Sequence, residues 1–192
     1  MLQLKRSLRA FLWLSLICGL IYPLAVTIVA QTVFNEKSNG GIIKHGNQIM
    51  GSQLIGQIFI SPKYFHSRPS ATDPQYDASN SGGSNLAPSN AKLITQARAR
   101  VEQVRRENFL SPDTRIPADL VLTSASGLDP HISPASAEIQ VLRIAGERKI
   151  PEAELMKMIR QNTEQPLLGI WGKERVNVLL LNLALDGINQ KR

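Results

Sequence analysis

Between Ala10 and Ala30 the chain reads AFLWLSLICGLIYPLAVTIVA, twenty-one residues without a charge. At about 1.5 Å of rise per residue, such a run makes a helix of about 30 Å, the thickness of a bilayer's hydrocarbon core. A soluble core helix rarely needs so long an apolar stretch. The pattern predicts a tail over 1–9, a transmembrane helix over 10–34 and a separate domain over 35–192. Phe11, Trp13, Tyr22 and Pro23 belong to this anchor. Pro23 should kink the helix, which membrane helices tolerate.

Lys5, Arg6 and Arg9 precede the run and no acid does, whereas Glu36, Lys37 and Lys44 follow it. The positive-inside rule then keeps the N-terminus in the cytoplasm and sends everything after about Phe34 outward. A cleaved signal peptide is the first rival, but its apolar centre spans only about 7–15 residues. A cut after Ala30 would also place bulky Ile28 where a small side chain is wanted. A lipoprotein anchor at Cys18 is the second rival, disfavoured by Ile17 before it and its place in mid-run. Cys18 then reads as an inert lipid-facing or packed thiol.

The 192 residues leave one outer domain large enough to bury a core. Cys18 is the only cysteine, so that domain has neither disulfides nor thiolate metal sites. His45, His66 and His131 lack ligand-like spacing, so no metal is expected. Of the 22 cations three lie in the N-terminal tail, so 19 face 15 acids beyond it, a net +4. Such a domain suits an anionic lipid surface or an acidic partner. With few aromatics and no basic stripe it does not suit nucleic acid.

The outer domain reads as α+β, a mixture of short strands and helices. A hairpin is expected over 41–50 with Gly46-Asn47 at its turn, its second strand continuing to Phe59. Residues 61–90 form a long segment rich in Ser, Asn, Pro and Gly, which Tyr64, Phe65, Arg68 and Tyr76 should help to order. A helix is expected over 88–108, capped by Ser89, with Leu93, Ile94, Ala97, Val101 and Val104 inward. A buried strand is expected over 119–124. A helix should start at Ser133-Pro134, bury Ile139, Leu142 and Ala145, and stop near Gly146. Another should fill 151–162 with Leu155, Met158 and Ile159 inward, and a loop should follow over 163–172. Residues 175–186 read as a strand, a short helix, or one passing into the other.

Three loops hold polar residues that composition does not explain. In Ser79–Asn90 the glycines could turn N–H groups toward one anion, or simply form a turn that caps the next helix. It is no P-loop, because the GxxxxGK[ST] spacing is absent. In 64–71, His66 and Arg68 could meet an anion or a partner carboxylate; alternatively the loop is pinned by its aromatics, with Arg68 on carbonyls. In 126–133, Asp129 and His131 are close enough to interact locally. No G-x-S-x-G nucleophile elbow occurs, so no catalytic residue is assigned.

Gly51-Ser-x-Leu-Ile-Gly-Gln57 with Phe59, Tyr64-Phe-x-x-Arg-Pro-Ser-Ala71, and Ser81-Gly-Gly-Ser-Asn-Leu-x-Pro-Ser-Asn90 come in that order. Ser124-x-Ser-Gly-Leu-Asp-Pro-His-Ile-Ser-Pro134, Thr163-Glu-x-Pro166 and Arg175-Val-Asn-Val-Leu-x-Leu-Asn-Leu-Ala-Leu-Asp186 follow. In these segments the chain resembles the C subunit of the bacterial Kdp potassium-transporting P-type ATPase. Ala87, where that family commonly has glycine, and Trp171 are small departures.

The resemblance implies an inner-membrane complex with a potassium-conducting subunit, an ATP-hydrolysing subunit and a small stabilising subunit. It implies an accessory, non-catalytic role, described as a catalytic chaperone that raises the ATP affinity of the hydrolysing subunit. Ser81, Gly82, Gly83, Ser84 and Asn85 resemble a glycine-rich signature loop of ABC transporters, which underlies a proposed ATP contact; no stably bound cofactor is expected. Together with Arg68, Asp129 and His131, these residues form the expected working surface toward partner subunits. The alternative is a membrane-anchored outer module that binds a small anion.

Overall fold

The computed structural model describes residues 2–187. They divide into two compact units, the first ending at Ile42 and the second beginning at Ile43.

In the first unit, helix α1 (Leu2–Leu16) passes through a π-helical turn (Ile17–Ile21) into α2 (Tyr22–Val33). The helix therefore starts well ahead of the apolar run. A π turn stands just ahead of Pro23, where the sequence places a kink. Proline clashes with the carbonyl four residues back, and the wider turn, closed by the Tyr22 N–H on the Ile17 carbonyl, makes room for Pro23. Thr27 and Thr32 return their hydroxyls to the Pro23 and Ile28 carbonyls, each at 2.8 Å, so neither seeks an outside partner. Leu2–Val33 is long and apolar enough to cross a membrane, and none of it is buried. Phe11, Trp13 and Tyr22 stand exposed along it. A short helix α3 (Asn35–Ser38) follows.

Next comes a hairpin of β1 (Ile42–His45), all but its first residue in the second unit, and β2 (Gln48–Ser52), turning at Gly46 with φ +59° as its sequence demands. The second strand does not run on to Phe59. Past Ser52 the backbone is claimed elsewhere. The Gln53 carbonyl accepts from Asn177 Nδ2 (2.8 Å), the Gly56 N–H donates to Leu128 O (2.8 Å), and Gln57 O accepts from the Ser67 hydroxyl (2.7 Å).

Residues 53–90 contain no helix or strand. Helix α4 (Ala91–Glu107) starts at Asn90, not Ser89, because the Asn90 carboxamide accepts the Lys92 N–H at 2.8 Å. Leu93, Ala97, Val101 and Val104 are half-buried as expected, but Ile94 is exposed. The expected strand over 119–124 is instead a 3₁₀ turn (Ala118–Leu120). Asp119 bends back to bind the Ser133 N–H (2.6 Å) and the Ser136 hydroxyl (2.7 Å), which holds this backbone in a turn.

Strand β3 (His131–Ile132) precedes α5 (Pro134–Glu138), whose N-cap is Ser133 as expected. The helix then breaks and restarts as α6 (Val141–Arg148), ended by Lys149 in the left-handed region and not near Gly146. Its buried face carries Ala137, Val141 and Ile144, while Leu142 is exposed and Ile139 and Ala145 are half-buried. Gln140 and Arg143 turn inward, and their demand for buried partners sets this face. Helix α7 (Glu152–Gln161) buries Leu155 and Ile159, with Met158 half-buried. The stretch expected as a loop contains β4 (Thr163–Glu164) and a small turn.

Strand β5 (Arg175–Asn177) passes directly into α8 (Val178–Leu185), with Asn177 as the N-cap. β5 is the centre of a three-stranded antiparallel sheet in the order β3-β5-β4, pairing Ile132 and Thr163 with Val176. The main core joins Phe65, Ile132, Val141, Ile144, Leu155, Ile159, Val176 and Leu181. A smaller cluster of Ile43, Leu179 and Leu183 lies on another face of α8. This helix is therefore apolar nearly all round.

Candidate functional site

The non-repetitive segment 61–72 is held by side chains, not by a ladder. Phe65 is fully buried, and its N–H and carbonyl bond Asn182 Oδ1 and Nδ2, both at 2.9 Å. Gln140 does the same for His66, accepting its N–H at 2.7 Å and donating to its carbonyl at 3.2 Å. Arg143 donates to the Pro62 and Tyr64 carbonyls, to Asn108 Oδ1 at 3.0 Å and to Gln140 Oε1 at 2.8 Å.

That scaffold places Arg68 against Asp129. Arg68 Nη1 meets Asp129 Oδ2 at 2.8 Å, and Arg68 Nη2 reaches the Leu122 carbonyl at 3.4 Å. Asp129 Oδ1 accepts the His131 N–H at 3.0 Å and faces His131 Nδ1 at 3.2 Å. Burial alone would raise the Asp129 pKa. The hydrogen bonds from His131 and the Arg68 guanidinium outweigh it and bring the carboxyl down to about 2. Arg68 Nε is buried without a partner. Tyr76 donates its hydroxyl to the Arg68 carbonyl at 2.5 Å, and burial pushes that phenol up to about 12.

The glycine-rich loop lies against the chain just before Asp129. Gly82 N–H donates to Ser126 O at 2.8 Å, and the Ser81 hydroxyl reaches the same carbonyl at 3.1 Å. A Cβ on Gly83 would lie 2.9 Å from the Ala125 carbonyl, and one on Gly127 (φ +69°) would lie 2.6 Å from the Gly82 carbonyl. Close backbone approach therefore falls on Gly83 and Gly127, whereas a Cβ on Gly82 meets open space. Ser84 and Asn85 are exposed, and Asn85 takes a positive φ of 51°. The Gly82 N–H is spent on the protein itself, and α4 is capped by its own Asn90; neither is held open for an anion.

The expected residues thus fall into one connected patch: Arg68, Asp129 and His131 linked directly, and Ser81–Gly83 through 125–127. The Ser70 hydroxyl ties the patch to the Gly127 carbonyl at 2.7 Å. His66 is not part of it. Its ring faces Ser61 O at 3.1 Å and Glu107 at 3.6 Å, in a neighbouring cleft of about 270 Å³ with Arg100 and Tyr76. Burial and the nearby Arg143 charge lower its pKa. Of the two readings of loop 64–71, the aromatic pinning holds, with Phe65 in the core, but Arg68 binds chiefly the Asp129 carboxylate and reaches a carbonyl only at 3.4 Å. Among the described residues no group of three His, Cys, Asp or Glu could hold a metal ion.

The supporting amides Asn182 and Gln140 escaped the sequence reading. Asn182 did leave a signal, as a polar residue inside the apolar run Val178–Leu185.

The family model for the K+-transporting ATPase c chain, KdpC, matches residues 4–187. A potassium-transporting ATPase KdpC subunit from Koribacter versatilis is 49% identical over 173 residues, covering 90% of this chain and 88% of the relative. The KdpC subunit of Caulobacter vibrioides is 50% identical over 173 residues, covering 90% and 86%. That of Mycobacterium tuberculosis H37Ra is 45% identical over 184 residues, covering 96% and 97%. With the match running through both units, the chain belongs to the KdpC family, the c chain of the K+-transporting ATPase.

Proposed function

We propose that this chain is a non-catalytic accessory subunit of an ATP-driven, high-affinity potassium importer. It supports assembly and raises the ATP affinity of the ATP-hydrolysing subunit. The partners are that subunit, the potassium-conducting subunit and a small stabilising subunit. The chain crosses the inner membrane once, with its N-terminus in the cytoplasm and residues 35–192 outside. Lys5, Arg6 and Arg9 ahead of the apolar helix support this orientation.

The observation that carries the reading is the patch formed by Arg68, Asp129, His131 and Ser81–Asn85. Its Arg68–Asp129 ion pair and its Gly82 N–H are bonded within the chain, which restrains it before a partner arrives. It offers a preformed contact surface, with the exposed Ser84 and Asn85 at its edge. An outward domain is separated by the bilayer from cytoplasmic ATP. An effect on ATP affinity therefore runs through two states of the partner subunits that this chain binds unequally, and needs no stably bound nucleotide here.

The test is a mild-detergent pull-down of C-terminally tagged chain from its own membranes, with potassium-stimulated ATPase assayed on the eluate. Recovery of a P-type pump and a channel-like subunit is expected, with apparent ATP affinity falling when this chain is omitted. Recovery of the chain alone, stable and monodisperse, would overturn the proposal.

A further inference from the structure

The turn between β4 and β5 takes no part in the patch above. Leu167 and Trp171 face each other across it, with Leu167 N–H on Trp171 O at 2.9 Å and Trp171 N–H on Leu167 O at 3.0 Å. Leu168 and Gly169 between them have φ of +54° and +73°. Glycine is at ease there and leucine is not, so folding alone would not choose Leu168. No side chain between Pro166 and Gly172 is polar apart from the indole N–H of Trp171. Yet Leu167, Leu168, Ile170 and Trp171 are 69%, 76%, 77% and 64% exposed. Four large apolar side chains on one small turn ask for a cover.

We infer that this tip inserts into the headgroup–acyl boundary of the bilayer that the chain's own N-terminal helix crosses. The inference rests on the membrane-anchored reading. The N–H groups of Leu167, Gly169, Ile170 and Trp171 are bonded inside the turn. These internal bonds lower the cost of entering the interfacial layer, where water and headgroups can meet the remaining backbone groups at the tip. The order of residues is that of an interfacial element. Leucines and isoleucine form the tip, Trp171 stands at its edge, and Lys173 is the first charge beyond it. Glu174 follows, while Arg175 and Glu164 neutralise each other at 2.9 Å. The net +4 beyond the N-terminal tail suits anionic headgroups. A domain already tethered to the bilayer also loses little freedom on insertion, so a small tip suffices.

The test uses the full chain with Cys18→Ser, together with the subunits that co-purify with it, in phosphatidylethanolamine–phosphatidylglycerol vesicles. One nitroxide at a time is attached through Leu168→Cys, Ile170→Cys, Ala153→Cys or Leu24→Cys. The labels at 168 and 170 should gain accessibility to dioxygen and lose it to an aqueous nickel chelate, as Leu24 does. Ala153, exposed on α7, should stay open to nickel. Labels at 168 and 170 that behave like Ala153 would overturn insertion, and labels shielded from both reagents would overturn it in favour of a protein partner. A label at 24 outside lipid would bring down the membrane-anchored reading, and insertion with it.

Discussion

Asn182 holds Phe65 by both of its backbone groups, accepting the N–H and donating to the carbonyl, each at 2.9 Å. Gln140 repeats the arrangement on His66, so two carboxamides, one from α8 and one from the turn before α6, do for residues 65 and 66 what a neighbouring strand would do. Buried backbone groups must be paired, and here the pairing fixes a segment with no regular structure. The fixed segment presents Arg68 to Asp129 a few residues later. Packing around α8 is thereby coupled to the geometry of the candidate surface.

Asn182→Ala should destabilise the outer domain by about 2–4 kcal/mol, because two buried backbone groups lose their partners at once. Asn182→Asp keeps the acceptor but loses the donor and buries a charge, so it should be no milder. Urea denaturation of the full chain in detergent, followed by far-UV circular dichroism, checks both. A midpoint equal to wild type for Asn182→Ala would mean that the clamp contributes nothing.

Some of this was legible in the residues. The uncharged run announced the N-terminal helix, Ser133-Pro134 announced the start of α5, and Gly46-Asn47 announced the hairpin turn. The local contact between Asp129 and His131 followed from their spacing. What escaped depends on contacts distant in sequence. Apolar spacing puts Leu142 inward, but Gln140 and Arg143 take the buried positions and Leu142 is exposed. Asp119 read as the start of a strand because nothing local reveals that its carboxylate binds Ser133 and Ser136. Periodicity ranks residues by hydrophobicity, and it cannot see a polar side chain that is buried because it has a partner.

Asp129→Asn should weaken the domain in a pH-dependent way. The folded carboxyl titrates at about 2 against an ordinary 3.8, so its contribution is complete above the unfolded value. It is lost as pH falls from about 4 toward 2. The loss at neutral pH should be on the order of 2 kcal/mol, since a tenfold difference in proton affinity between the folded and unfolded chain is worth about 1.4 kcal/mol. Thermal denaturation of both proteins across this range should show the curves converging in acid. A constant gap would contradict the assignment.

His66 should give the upper part of the same acid decline. Burial and Arg143 hold its pKa below 6.5, so the unfolded chain binds the proton more readily. Stability should therefore fall as pH drops below 6.5, until the folded ring itself titrates. His66→Gln should flatten that part of the profile while leaving the lower Asp129 limb in place. Urea midpoints between pH 7 and the acid limb measure this, and an unchanged slope in the variant would assign the titration elsewhere.

The glycines separate folding from contact. Gly127 sits at φ +69°, and a Cβ there would lie 2.6 Å from the Gly82 carbonyl, so Gly127→Ala must move backbone as well as adopt a strained φ. About 2–4 kcal/mol of destabilisation is expected from strain and overpacking together. Gly82 has no positive φ, and a Cβ there meets nothing within 4 Å, so Gly82→Ala and Gly82→Val should shift the urea midpoint little. On the proposed contact surface, Gly82→Val should nevertheless lower potassium-stimulated ATPase in the purified complex, because the added side chain projects into open space. Measured side by side, a stable Gly82→Val chain with full activity would remove Gly82 from the contact surface. A stable chain with lost activity would place it there without recourse to misfolding.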